Sequence, residues 1–94
     1  MKLSAFIQLI QNINEQHTLY YGRTESPLAL SKFTVAANEC YFQVGKQAMS
    51  KQKFIKLVKN IHHKAINLYV LEGNKKRSIY GLQIELDHGR IVLM

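Results

Sequence analysis

A chain of 94 residues, 47% hydrophobic and 20% charged with one proline and five glycines, has the composition of a folded domain and excludes a disordered or fibrous protein. Its length makes a single domain, residues 1–94, and its one cysteine, Cys40, excludes an internal disulfide or a cysteine zinc cluster and fits a reducing, cytoplasmic setting. Thirteen Lys and Arg against six Asp and Glu leave a formal charge of +7, which points to an anionic partner.

The chain opens on a helical pattern. Leu3, Phe6, Ile7, Leu9, Ile10 and Ile13 recur at helical spacing behind Ser4 as N-cap, and Ser4, Gln8 and Gln11 interrupt the apolar run too often for a secretion signal or a membrane span. "TLYY" (18–21) then reads as a short strand and "GRTESP" (22–27) as a loop. Within 22–31 a helical turn is an alternative, because Ser26 is a suitable N-cap and Pro27 a suitable first helical residue. "FTVAANECYFQV" (33–44) reads as two alternating runs around the turn "AANE".

A second helix follows Ser50, with Phe54, Leu57, Val58 and Ile61 as its apolar stripe. "INLYVL" (66–71) is β-rich and far shorter than the roughly 20 residues that cross a bilayer as a helix, so no integral membrane association is expected. After the loop "EGNKKR" (72–77), "LQIELDHGRIVL" (82–93) reads as a hairpin in which Gly89 takes the positive-φ position.

The two halves echo each other. "FIQLIQNI" (6–13) and "FIKLVKNI" (54–61) share five of eight residues, and at a shift of 49 Leu19-Tyr20 matches Leu68-Tyr69, Phe33 matches Leu82, Val35 matches Ile84, Phe42 matches Ile91 and Val44 matches Leu93. Cys40 then falls where the second half has Gly89. This persistent register argues for internal repeats over about 1–47 and 48–94. The expected fold is α+β: a tandem α-β-β-β repeat forming a six-stranded antiparallel sheet, with two helices packed on one face and a pseudo-twofold axis between the halves.

Strand alternation then sorts the sheet. Leu19, Phe33, Val35, Phe42, Val44, Leu68, Val70, Leu82, Ile84, Ile91 and Leu93 face the helices; Tyr20, Lys32, Thr34, Tyr41, Gln43, Tyr69, Leu71, Ile79, Gln83, Glu85, Arg90 and Val92 face away. Tyr20, Tyr41, Tyr69 and Arg90 on that open face suit either base stacking or a protein interface, and tyrosine is also simply a good strand residue.

Charge separates the halves. Residues 1–47 hold four Lys/Arg against three Glu, whereas residues 48–94 hold nine against three acidic residues. Lys53, Lys56, Lys59 and His63 fall opposite the apolar stripe of the second helix, with Lys64 nearby, and no acidic residue lies between Lys51 and Leu71. Lys75, Lys76 and Arg77 form a basic hairpin loop after Gly73-Asn74. Ten lysines to three arginines favour diffuse phosphate attraction over bidentate base reading.

The expected function is therefore a small basic accessory or regulatory protein that binds nucleic acid, DNA or RNA, through its phosphate backbone. The alternative is a non-enzymatic interaction or inhibitor module that dimerises, or binds an acidic protein partner, through the open sheet face. No catalytic residue, metal site or cofactor is expected: His62 and His63 are adjacent and diverge on a helix, His17 and His88 lack ligand spacing, and there is no nucleophile or glycine-rich phosphate motif. Asn12 and Asn60, repeated within the helical motif, suit helix-end hydrogen bonding.

Overall fold

The computed structural model describes residues 1–22 and 24–94, so Arg23, counted above among the cations of the first half, lies outside the described residues. Helix α1 (Leu3–Leu9) leads into strands β1 (Thr18–Tyr21), β2 (Leu28–Val35) and β3 (Glu39–Val44). Helix α2 (Lys51–Val58) leads into β4 (Asn67–Glu72), β5 (Lys75–Ser78), β6 (Leu82–Glu85), a 3-10 turn at Leu86–His88 and β7 (Arg90–Leu93).

The fold is α+β, but the sheet differs from the expected six antiparallel strands. It has seven strands in the order β5-β4-β3-β2-β1-β7-β6, with β3 parallel to β4 and β1 parallel to β7. The first parallel pair follows from connectivity: the chain leaves β3, passes through α2 and returns beside β3, and such a crossover brings strands together in the same direction. The strands at the two ends of the order, β5 and β6, are separated in sequence only by residues 79–81. Seven strands laid flat would put the outermost axes roughly 29 Å apart. Four Cα steps reach at most about 15 Å. The sheet must therefore curl so that its two ends approach each other.

Two stretches hold more strand than the sequence suggested. Lys75–Ser78 pairs with β4, and the turn before it is only Gly73-Asn74, with Gly73 at φ 63°. All four β5 residues are exposed, so the segment carries no apolar alternation that would mark it as a strand. Leu28–Val35 is extended throughout, which removes the helical turn considered at Ser26-Pro27. Its apolar residues Leu30 and Phe33 are out of phase by one. A bulge between Leu30 and Lys32 absorbs Ser31 and lets both side chains face inward.

The core lies inside the curl, closed by the helices. Phe6, Phe33, Phe42 and Phe54, the four phenylalanines of the chain, form one cluster with ring centroids 5.2–5.8 Å apart. Each such ring pair contributes about 0.5–1.5 kcal/mol beyond the area it buries. Leu3, Ile10, Leu19, Leu30, Cys40, Leu68, Val70, Ile91 and Leu93 complete it, all fully buried. Ile79, expected to face away, is also buried in the core, because the link between β5 and β6 turns inward. Val92 does lie outside the core cluster, yet it too is buried, flanked by Tyr20 and Gln83 on the adjoining strands. Leu9 and Leu57, assigned to the apolar stripes, are 57% and 45% exposed: these short helices bury a narrower face than the sequence suggested.

Helix boundaries also shift. Ser4 is inside α1, whose N-cap is Lys2 with no side-chain bond, whereas Ser50 caps α2 by accepting from the Lys53 amide at 3.1 Å. α2 ends at Val58 with Lys59 as C-cap, so His62, His63 and Lys64 lie beyond it rather than on its polar face. Asn12 and Asn60 are exposed in the turns after the two helices.

Several contacts between the halves occur twice, with the roles of the two halves exchanged. The Leu19 amide donates to the Met49 carbonyl at 2.8 Å, and Leu68 to Met1 at 2.8 Å; Lys51 donates to His17 at 2.7 Å, and Leu3 to Ile66 at 2.9 Å; Gln52 donates to Glu15 at 3.0 Å, and Ser4 to Lys64 at 2.8 Å. The hairpins correspond with one correction. Val35 pairs with Cys40 and Phe33 with Phe42, whereas Ile84 pairs with Ile91 and Leu82 with Leu93. The second hairpin thus has a turn two residues longer, the counterpart of Cys40 is Ile91 rather than Gly89, and Phe42 answers Leu93 rather than Ile91. A shift of two leaves every side chain on its face.

Candidate nucleic-acid interface

Lys53, Lys56 and Lys59 are exposed, and among the described residues none of them forms an ion pair. Their backbone is well anchored. The amides of Lys51, Gln52 and Lys53 are bonded to the His17 carbonyl, the Glu15 carbonyl and the Ser50 hydroxyl, so the N-terminus of α2 is satisfied internally. No acidic residue occupies the first turn of α2. A cation there is opposed by the helix dipole, by roughly 0.3–1 kcal/mol, so Lys53 does not sit where helix stability alone would put it. Lys56 in the last turn has the favourable sense.

The structure does not gather the remaining basic residues around α2. Lys64 is half-buried in the segment leading to β4, and its carbonyl accepts from the Ser4 amide. Lys75, Lys76 and Arg77 belong to β5, a lysine-rich outer strand rather than a loop tip. Lys76 is bound to Glu39 at 2.9 Å, which raises its pKa, and Arg77 lies 3.5 Å from Glu72. Charges of this kind also discourage strand-to-strand aggregation.

The tyrosines are placed as alternation predicts, and Tyr41 and Tyr69 pair directly across β3 and β4. Two of the rings already carry a cation. Lys76 Nζ stands 4.7 Å from the Tyr69 centroid, and the Arg90 guanidinium lies 5.6 Å from the Tyr20 centroid. Arg90 is held in turn by Glu85 at 2.7 Å. For a base to stack on that side of either ring, the cation must first move.

Two lysine placements escaped the sequence reading. Lys51 is 5% exposed, and its Nζ donates to the carbonyls of Gln11 at 3.2 Å and Ile13 at 2.6 Å, just after α1. Counted only as positive charge, it looked like one more member of the basic run. The signal against that lay in its position one residue after the cap Ser50, where it corresponds to the buried Leu3 of the first half. The second case is Lys46, which shares a cleft of about 530 Å³ with Ser31, Lys32, Ser50 and Lys53. Only the strand bulge and the loop geometry bring these residues together.

Among the described residues no three His, Cys, Asp or Glu side chains are grouped to hold a metal ion, and no helix is long and apolar enough to cross a membrane. Cys40 is fully buried, with Sγ donating to the Asn67 carbonyl at 3.6 Å. Burial, helped by the charge of neighbouring Glu39, pushes its thiol up to about 11. Compared with protein-family models, with curated proteins and with solved structures, the chain shows no match.

Proposed function

We propose that this protein is a small, basic, cytoplasmic nucleic-acid-binding accessory factor that holds a phosphate backbone against α2. The observation that carries this reading is a contrast in charge compensation. Lys76, Arg77 and Arg90 each pair with a carboxylate and Lys51 is held by carbonyls, while Lys53, Lys56 and Lys59 are exposed and unpaired among the described residues. The first half carries Ala5, Gln8 and Gln11 at the corresponding helical positions. We read the halves as two copies of one helix-and-strand unit, three strands in the first and four in the second, of which the second was adapted to meet an anion.

Such binding is mainly backbone-directed and steeply salt-dependent. Lys75 joins it directly, and Lys76 and Arg77 join it where their partners Glu39 and Glu72 exchange for phosphate. Tyr20, Tyr41 and Tyr69 have a secondary part, since two of their rings are covered. The test is fluorescence anisotropy with labelled single-stranded DNA, duplex DNA and RNA at low and physiological salt, comparing wild type with Lys53→Glu/Lys56→Glu/Lys59→Glu. Salt-sensitive binding that the triple variant loses is the expected result. A folded wild type that binds none of the three at low salt would overturn the proposal.

A second reading, an interaction module that dimerises or takes an acidic protein partner, is favoured by one observation: Tyr80 is 87% exposed beside Tyr21 and Met94. It predicts a salt-tolerant oligomer or complex that Tyr80→Ser weakens.

A further inference from the structure

We propose that the cleft formed by Ser31, Lys32, Lys46, Ser50 and Lys53 is a seat for one phosphate group of a nucleic-acid backbone, an inference that rests on the nucleic-acid reading and gives it a fixed point. Three features of the cleft lead there. First, three lysines line it and no carboxylate does. The repulsion among three ammonium groups is relieved by an anion, and the two non-bridging oxygens of a phosphodiester, each with more than one lone pair, can accept from all of them.

Second, its walls are fixed before any ligand arrives. Ser31 Oγ donates to the Gln47 carbonyl at 2.7 Å, the Gly45 amide to Ala29 at 3.0 Å, the Met49 amide to Leu30 at 2.7 Å, and the Leu19 amide to Met49 at 2.8 Å. The bulge at Ser31, the loop 45–50 and the first turn of α2 are thereby tied to one another, so the three lysine Cα positions are held and only side chains need ordering. Third, Lys53 stands in the first turn of α2, where the helix dipole disfavours a cation, and an anion in the cleft reverses the sign of that interaction. The helix amides themselves are bonded internally, so the seat is built from ammonium groups and exchanges readily.

The cleft also sets a path. A strand anchored between Lys32, Lys46 and Lys53 continues along α2 toward Lys56, with the cleft fixing its start and the helix adding non-specific attraction. Free phosphate and a phosphodiester share this chemistry, and two measurements on the full chain separate them. Titration of ¹⁵N-labelled protein with inorganic phosphate at low salt is expected to shift the amides of Lys32, Lys46, Gln47 and Lys53, and Lys32→Gln/Lys46→Gln is expected to abolish those shifts. No shift in the wild type overturns the seat. Anisotropy with a labelled oligonucleotide is expected to show about tenfold weaker binding by the double variant, with a salt slope shallower by about 1 for each phosphate that is no longer neutralised.

Unchanged binding by the double variant, with loss in the α2 triple variant, overturns the cleft and leaves the nucleic-acid reading standing. Phosphate-dependent shifts in a wild type that binds no oligonucleotide overturn the polynucleotide source. Both lysines are on the surface of the cleft, and an unchanged thermal midpoint shows that the variant is folded; Lys46→Gln alone provides a second, milder variant expected to fall between the two.

Discussion

Lys51→Met isolates a buried cation whose work is structural. The substitution keeps an unbranched stem of similar reach and removes the ammonium that bonds the carbonyls of Gln11 and Ile13. Two opposing quantities decide the outcome. Hydrogen bonds to a charged group contribute about 1.5–3 kcal/mol each, and a carbonyl left without a partner costs roughly 1–3 kcal/mol. Against this, the ammonium was taken out of water at a cost of several kcal/mol, which methionine does not incur. Because Nζ meets both carbonyls at short range while the side chain is 5% exposed, we expect the bonds to prevail by about 2 kcal/mol. For a domain of this size that lowers Tm by roughly 8–15 °C. Urea unfolding of wild type, Lys51→Met and the exposed control Lys53→Met, the last expected to stay within about 0.5 kcal/mol, measures it. Equal or greater stability of Lys51→Met would refute the reasoning, because desolvation of the ammonium would then outweigh its bonds.

Two further expectations concern the sheet. A Cβ at Gly45 would lie 2.6 Å from Ser31 Cβ, across the bulge, so Gly45→Ala is expected to lose about 1–3 kcal/mol in urea unfolding and to shift the amides of Ser31 and Gln47. The Cys40 thiol titrates near 11 when folded and near the ordinary 9.0 when unfolded. Its contribution is complete below pH 9 and disappears as pH rises through 11, a loss of roughly 2–3 kcal/mol. Cys40→Ala should lack this part of the alkaline destabilisation when urea midpoints at pH 8 and pH 10.5 are compared.

What the sequence disclosed was local in character. Helical spacing placed α1 and α2, alternation placed β1 and β4, and Gly89 took its left-handed turn at φ 61°. β5 was missed because its four exposed residues carry no apolar pattern, and residues 59–64 were read as helix because Ile61 continues a stripe that the chain has already left. Strand direction was out of reach for another reason: alternation reports which face a residue takes and not which neighbour its strand takes. The parallel pairs β1–β7 and β3–β4 are long-range choices, made by the crossover and by curling. In the candidate site, Lys53, Lys56 and Lys59 could be read from helical phase. Lys46 could not, because its neighbours Lys32 and Lys53 are brought to it by a bulge and a loop with no sequence period.

The pairing of β1 with β7 has a bearing on how the molecule is made. Thr18 emerges from the ribosome before Arg90 and must wait for it before that edge of β1 is covered. Residues of high sequence separation meet late, because the entropy of closing the intervening loop must be met first. The helices and the β2–β3 hairpin can form meanwhile, but β1 remains a strand with one open side until β7 is made. Such an edge invites pairing with another nascent chain. In this architecture the vulnerable species is a chain that still lacks β7, and the protection of β1 arrives with that strand.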